Sequence, residues 1–79
     1  MKLLVRNLAR TTTEEQIRTL FSDHGTVEEC TLVLDQATGL SKGFAFVEMP
    51  DQNEANTALK TLHHANIDDS KIRVKYSQN

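Results

Sequence analysis

The stretch KGFAFVEM, residues 42–49, decides the fold of this chain. Its apolar residues alternate with a period of two, which is typical of a β-strand. Alanine, valine and methionine at positions 45, 47 and 49 point to one side and are predicted to be buried. Phe44 and Phe46 point to the other side. If the first side packs on helices, the two rings lie on an open face, and an exposed apolar patch usually marks a binding site.

Length and composition predict one small globular domain over residues 1–79, with 38% hydrophobic and 25% charged residues. The only cysteine, Cys30, excludes an intrachain disulfide and a multi-cysteine zinc site, which favours a reducing intracellular compartment. We therefore expect a cytoplasmic protein, or a nuclear one if the chain is a module cut from a larger eukaryotic protein. A start at Met1, one residue before the first strand, favours a short stand-alone protein. No apolar run has the roughly 20 residues that a membrane-spanning helix needs.

The order of local signals along the chain is β-α-β-β-α-β. Strands are predicted over residues 3–8, 27–34, 42–49 and 71–76, with a loop over 63–70 that has a small extra turn near Ile67. One helix begins at a capping box, Thr13 with Gln16, and ends at Gly25; the other begins at Asp51 with Glu54. This order predicts an α+β, ferredoxin-like sandwich, in which a four-stranded antiparallel sheet carries two helices on one face.

The open side of this sheet follows from the same alternation in each strand. It carries six positive and two negative residues, a net charge of +4, whereas the rest of the chain carries three positive and nine negative residues. A basic face on a protein of net charge −2 steers a polyanion to one side. Two flat rings beside a lysine suit unstacked bases on a phosphate backbone. The positive residues are Lys2, Arg6, Lys42, Lys71, Arg73 and Lys75, and the negative ones are Glu29 and Glu48.

These residues resemble a known family. Residues 42–49 are similar to the RNP1 signature of the RNA recognition motif, K/R-G-F/Y-G/A-F-V-x-F/Y, and residues 3–8 (LLVRNL) look like its RNP2 box. The loop 35–42 and the first helix also fit, so the resemblance covers essentially the whole chain, and it is nearest to short single-motif RNA-binding proteins of bacteria. It implies single-stranded RNA binding of weak to moderate affinity, in a post-transcriptional role.

The resemblance also implies residue roles. Phe44 corresponds to the ring that packs on sugars, Phe46 to the ring on which a base stacks, and Lys42 to a phosphate-pairing residue. Asn7 closes the RNP2 box, and the end of the last strand contacts RNA in family members. The RNA-binding set expected here is Lys2, Leu4, Arg6, Asn7, Lys42, Phe44, Phe46, Arg73, Lys75, Tyr76 and Gln78.

Four positions depart from the family pattern. Leu4 stands where the second RNP2 position is usually aromatic, which removes one stacking platform and predicts binding about tenfold or more weaker. Met49 replaces the final aromatic residue of RNP1, but it points inward. His64 and Asp69 replace glycines that flank the segment before the last strand, so the turns there are expected to differ.

Other functions are less consistent with the sequence. Small acyl-phosphate hydrolases share the ferredoxin-like layout, but the loop after the first strand lacks the glycines of a phosphate cradle and no nucleophile–base pair is evident, so we expect no enzyme and no cofactor. The adjacent histidines 63 and 64 have no third ligand, so no metal site is expected. Two alternatives stay open: single-stranded DNA as the ligand, and a protein-binding domain that uses its acidic helical face. The expected state is a monomer without membrane contact.

Overall fold

The computed structural model of the chain describes residues 1–77, so Gln78, one of the predicted RNA-contacting residues, lies outside the described residues together with Asn79. The elements in chain order are β1 (Lys2–Arg6), α1 (Glu14–Ser22), β2 (Glu29–Leu34), β3 (Ser41–Glu48), α2 (Gln52–Leu62), β4 (Asn66–Ile67), β5 (Ser70–Lys71) and β6 (Arg73–Tyr76).

Four of the strands form one antiparallel sheet with the order β2-β3-β1-β6, and both helices pack against one side of it. The two strands with the RNP-like sequences, β3 and β1, are therefore the central pair. This arrangement confirms the ferredoxin-like fold expected from the order of the elements. We call the side of the sheet opposite the helices the open face.

The division of β3 into two faces is confirmed. Ala45, Val47 and Met49 have no exposed surface and pack in a single core with the apolar stripes of both helices. Phe21 of α1 is likewise fully buried, and Cys30 of β2 is 6% exposed in the same core. The core thus takes one residue in two from each strand, and the alternate residues remain for the open face.

The two helix starts differ. At α1 the capping box is complete: the Thr13 hydroxyl accepts the Gln16 N–H at 3.1 Å, and the Gln16 side chain accepts the Thr13 N–H at 2.8 Å. At α2 the Asp51 carboxylate caps the helix by accepting the Glu54 N–H. The prediction that the Glu54 side chain completes a capping box with the Asp51 backbone is wrong. The Glu54 carboxylate instead accepts the Thr26 N–H at 3.0 Å, which ties α2 to the loop after α1.

The segment between α2 and the last strand of the sheet is a hairpin and not the predicted loop with a small turn. β4 and β5 pair through a two-residue connection, Asp68-Asp69, with φ of +51° and +65°. Two positive φ angles are the geometry of a type I′ turn, in which glycine is favoured at the second position. His64 also has a positive φ, +71°. The turns at His64 and Asp69 therefore keep a backbone that favours glycine, although neither residue is one.

The predicted last strand, residues 71–76, is too long at its start. Lys71 belongs to β5 and pairs with Asn66 in the hairpin, so β6 begins only at Arg73. The intervening Ile72 is fully buried, and its backbone bonds to His64 and Ala65 rather than to β1. Within residues 1–77, no helix is both long and apolar enough to cross a membrane.

Candidate nucleic-acid interface

A transverse row of side chains crosses the middle of the open face. Phe46 of β3 lies directly opposite Leu4 of β1 on one side and opposite Thr31 of β2 on the other. Leu4 in turn lies opposite Lys75 of β6. Directly opposed residues on antiparallel strands have Cβ atoms about 4.5–5.5 Å apart, so the row is continuous. The most central aromatic ring of the sheet therefore has an apolar neighbour, a hydroxyl neighbour and, one strand further, a cation.

The two phenylalanine rings are close without stacking on each other. Their centroids are 6.2 Å apart and their planes meet at 87°, the edge-to-face geometry that aromatic quadrupoles favour. The Lys2 ammonium lies 5.4 Å from the centroid of the Phe46 ring, within the range of a cation–π contact. Because the rings do not cover one another face to face, ring surface remains for a planar ligand group.

Two polar hollows adjoin the rings at the end of β1. The first, which we call the β1–β3 hollow, has a volume of about 240 Å³ and is lined by residues 6–8, Arg10 and residues 42–44. The second has a volume of about 260 Å³ and is lined by Arg6, Asn7 and Arg73. Arg6 and Arg73 lie directly opposite each other on β1 and β6. Positive side chains are therefore gathered at the end of β1, on one side of the transverse row.

Asn7 shapes the backbone at this end of the sheet. It adopts a left-handed conformation with φ of +61°, and its side-chain amide donates to the Lys71 carbonyl at 2.7 Å. Asparagine tolerates this conformation better than most residues. Asn7 thus ends β1 and fastens it to the hairpin, and it also lines both polar hollows.

Tyr76 does not join the predicted set on the open face. It lies opposite Leu3, a residue of the core side, and its hydroxyl donates to the Asn56 side chain of α2 at 3.2 Å. The Tyr76 side chain is therefore on the helical side of the sheet. The alternation of the last strand predicts this side for Tyr76, because Tyr76 follows the buried Ile72 and Val74 at steps of two residues. The structure brings together the other described members of the set: Lys2, Leu4, Arg6, Asn7, Lys42, Phe44, Phe46, Arg73 and Lys75.

Arg10 is the residue of this end of the sheet that the sequence patterns did not identify. It is in the loop after β1, outside any strand, so alternation assigns it no face. In the structure it lines the β1–β3 hollow, and its guanidinium donates to the Ser41 carbonyl at 3.1 Å.

The histidine pair lies at the edge of the sheet beside β6. The Val74 N–H donates to Nδ1 of His63 at 3.0 Å, and the rings of His63 and His64 are 3.9 Å apart. Repulsion from His63 lowers the pKa of His64, with smaller contributions from desolvation and from the cations Lys71 and Arg73. In the core, burial raises the pKa of the Cys30 thiol, assisted by Glu14 and opposed by Arg18.

A different kind of hollow lies on the helical side. It has a volume of about 360 Å³, an apolar floor that includes the half-buried Leu20 and Ile67, and the acidic residues Glu15 and Asp23 among its lining. It shares no lining residue with either polar hollow of the open face.

Comparison with known proteins agrees with this architecture. The RNA-binding protein CP31B, chloroplastic, of Arabidopsis thaliana is 35% identical over 77 residues, which are 98% of this chain but only 27% of that protein. The crystal structure of RNA Binding Protein PG1 superposes with a TM-score of 0.96 at 34% identity, covering 100% of this chain and 95% of the other. The structure of Rna15 RRM with bound RNA (GU) superposes with a TM-score of 0.89 at 31% identity, covering 99% of this chain and 83% of the other.

The family model for the RNA recognition motif matches residues 3–73, which include β2, β3 and both helices, β1 except for Lys2, and the first residue of β6. The chain therefore belongs to the RNA recognition motif family.

Proposed function

We propose that this domain binds single-stranded RNA on its open face, by stacking of bases on Phe44 and Phe46 and by contacts of the neighbouring cations with phosphates. The observation that carries the proposal is the position of Phe46: it is in the middle of the sheet, on the side that no helix covers, with Leu4 and Thr31 directly opposite. Solvation of an ordinary sheet surface gives no reason for two aromatic rings there.

The relatives support the same ligand class. The Rna15 domain, 31% identical to this chain, has a solved structure with bound RNA, and the chloroplastic relative is an RNA-binding protein by name. Because this chain spans 27% of that relative, the proposal concerns the action of the domain and not the cellular role of a larger protein.

The geometry supports two kinds of contact. A base that stacks on one ring contributes about 1–3 kcal/mol, and every base offers a π-face, so this contact is tolerant of sequence. The cations at the end of β1 supply contacts with the phosphate backbone, which weaken as salt concentration rises. Leu4, opposite Phe46, supplies only apolar contact. We therefore propose weak to moderate affinity for a segment of about two to four nucleotides.

Titration of the 15N-labelled domain with a pool of randomised RNA octamers tests the proposal. Amide shifts should change along β1, β3 and β6 and saturate with RNA concentration. Shifts confined to α1 and α2, or no shifts on these three strands, would refute it. The same titration with the matching DNA pool addresses the single-stranded DNA alternative. Stacking does not distinguish the two sugars, so a substantially tighter complex with RNA requires a contact with the 2′-hydroxyl.

The protein-binding alternative has one observation in its favour, the 360 Å³ hollow between α1 and β4. Its apolar floor and its acidic residues, Glu15 and Asp23, suit a basic peptide with one apolar anchor. A test peptide with leucine flanked by lysines should then shift amides of α1 and β4 and leave the open face unchanged. An absence of such shifts at millimolar peptide would eliminate this alternative.

We further propose that the domain acts as a monomeric binding module without a catalytic step or cofactor, in a reducing intracellular compartment. The support for the compartment is the single buried cysteine. Light scattering of the purified chain checks the monomer, and imaging of a tagged chain in its source cells distinguishes cytoplasm from nucleus.

A further inference from the structure

Arg10 is held across the start of β3 by specific contacts. Its guanidinium donates to the Ser41 carbonyl at 3.1 Å, which uses one of the five N–H groups of the side chain. A Cβ added to Gly43 would lie 3.6 Å from Nε of Arg10 and 3.3 Å from the Leu8 carbonyl oxygen. The guanidinium of Arg10 therefore lies against the backbone of Gly43, at a distance where even a Cβ would be in ordinary contact with it. The φ of Gly43, +85°, also favours glycine at this position.

The β1–β3 hollow gathers positive charge that the protein itself does not neutralise. Arg6, Arg10 and Lys42 are all exposed and line the hollow together. In the described part of the chain, no aspartate or glutamate forms an ion pair with any of the three. The hollow is also roomy: its 240 Å³ is far above the roughly 10–15 Å³ that a cavity needs to hold one water molecule. Three neighbouring cations without counter-charges favour a bound anion.

The hollow is continuous with the aromatic surface, because Phe44 is one of its lining residues. A nucleotide that packs on Phe44 would therefore have its phosphate at or near the mouth of the hollow. An arginine suits such a position, since its planar fork of donors matches the oxygens of a phosphate.

We propose that the β1–β3 hollow binds an internal phosphodiester of the RNA, and that Arg10 contacts this phosphate together with Lys42. This inference rests on the proposed function and adds a binding residue to it from a loop. A phosphate contact in a single-stranded complex contributes a slope of about −0.7 to the dependence of log affinity on log salt concentration. Over the tenfold range from 1 M to 0.1 M salt, a slope of that size raises the affinity by about fivefold.

The test measures the affinity for randomised RNA octamers without terminal phosphates by fluorescence anisotropy, at several salt concentrations. For Arg10→Ala we expect affinity about fivefold lower at 0.1 M salt and a salt slope smaller by about 0.7. Arg10→Lys, which keeps the charge, should retain the slope. The matched control Arg18→Ala removes an exposed arginine of α1 and should change neither quantity.

The outcomes separate this inference from the proposed function. If Phe46→Ala weakens binding but Arg10→Ala leaves the salt slope unchanged, the phosphate contact is refuted and RNA binding on the open face stands. A lower melting temperature of Arg10→Ala with an unchanged slope would mean that Arg10 only holds the loop to Ser41, which also overturns the inference. An Arg10 effect seen only with 5′-phosphorylated octamers would overturn the assignment to an internal phosphodiester. If the wild-type chain does not bind RNA, the proposed function fails first.

Discussion

Replacement of Phe46 by alanine tests the central element of the open face. The Phe46 ring is half-buried and lies opposite Leu4 and Thr31. It meets the Phe44 ring in an edge-to-face contact, and the Lys2 ammonium is 5.4 Å from its centroid. None of these neighbours belongs to the core between sheet and helices. The substitution should therefore affect binding strongly and folding weakly.

The expected loss of binding follows from the loss of one stacking platform. A stacked base contributes about 1–3 kcal/mol, which corresponds to a weakening of the complex by about 5- to 150-fold. The residue opposite Phe46 on β1 is Leu4, which has no ring, so no aromatic neighbour on β1 should replace the lost stacking. The loss should be similar at low and high salt, because stacking neutralises no phosphate charge.

The expected loss of stability is smaller and has a matched comparison. Phe46→Ala removes the contact with Phe44, about 0.5–1.5 kcal/mol, and the exposed cation–π contact with Lys2, about 0.5–1 kcal/mol. Phe21→Ala, at a ring with no exposed surface, should reduce the free energy of unfolding by about 3–5 kcal/mol. At about 4–8 °C per kcal/mol for a domain of this size, the two variants differ clearly in melting temperature.

Both quantities are measured on the same preparations, binding by anisotropy with the RNA octamer pool and stability by thermal unfolding. The control is Lys60→Ala, at an exposed position of α2 that should leave both unchanged. An affinity within twofold of wild type would refute stacking on Phe46. A melting temperature as low as that of Phe21→Ala would instead mean that the ring supports the core.

The remaining predictions concern the transverse row of the open face, the histidine pair and the turn of the hairpin β4–β5. Leu4→Tyr should tighten RNA binding by about 1 kcal/mol or more in the anisotropy assay, and an unchanged affinity would mean that position 4 does not contact the ligand. His64 has its pKa lowered in the folded state, mainly by His63, so the unfolded chain binds more protons. Stability should therefore be full above pH 6.5 and decrease below it. The variant His64→Asn, in which asparagine tolerates the positive φ, should lose less stability between pH 7.5 and pH 5.5 in thermal unfolding. An equal loss of stability in the variant contradicts the assignment to His64. Asp69→Gly should stabilise the domain by up to about 1 kcal/mol in denaturant unfolding, because its φ of +65° favours glycine, and a loss of stability would contradict that reason.

Much of the candidate interface is readable from sequence because a strand has a fixed period. Alternation placed Leu4 and Phe46 on the same side of different strands, and the register of the sheet sets them directly opposite each other. The same rule, continued by one step from Val74, indicates the helical side for Tyr76, whereas the family resemblance placed this residue with the RNA contacts. The structure has the Tyr76 side chain on that helical side, and an RNA contact by this residue stays a prediction.

Positions outside regular strands have no such period. The alternation of residues 71–76 predicts Lys71 in the last strand. In the structure Lys71 belongs to the hairpin β4–β5, because Ile72 turns inward and bonds to the segment after α2. The capping-box pattern predicts that Glu54 bonds within its own helix cap, but its partner is the backbone N–H of Thr26, which is distant in sequence. Local rules cannot include competing partners that only folding brings near.

The sequence by itself thus determined the element order, the buried side of each main strand and the aromatic character of the open face, because these depend on the periods of neighbouring residues. Only the tertiary structure decided which cations gather at the end of β1. Arg10 is held at that site by the Ser41 carbonyl, which accepts its guanidinium, and it lies beside Gly43. These contacts join residues more than 30 positions apart, where chain pattern carries no information and packing alone sets the distance.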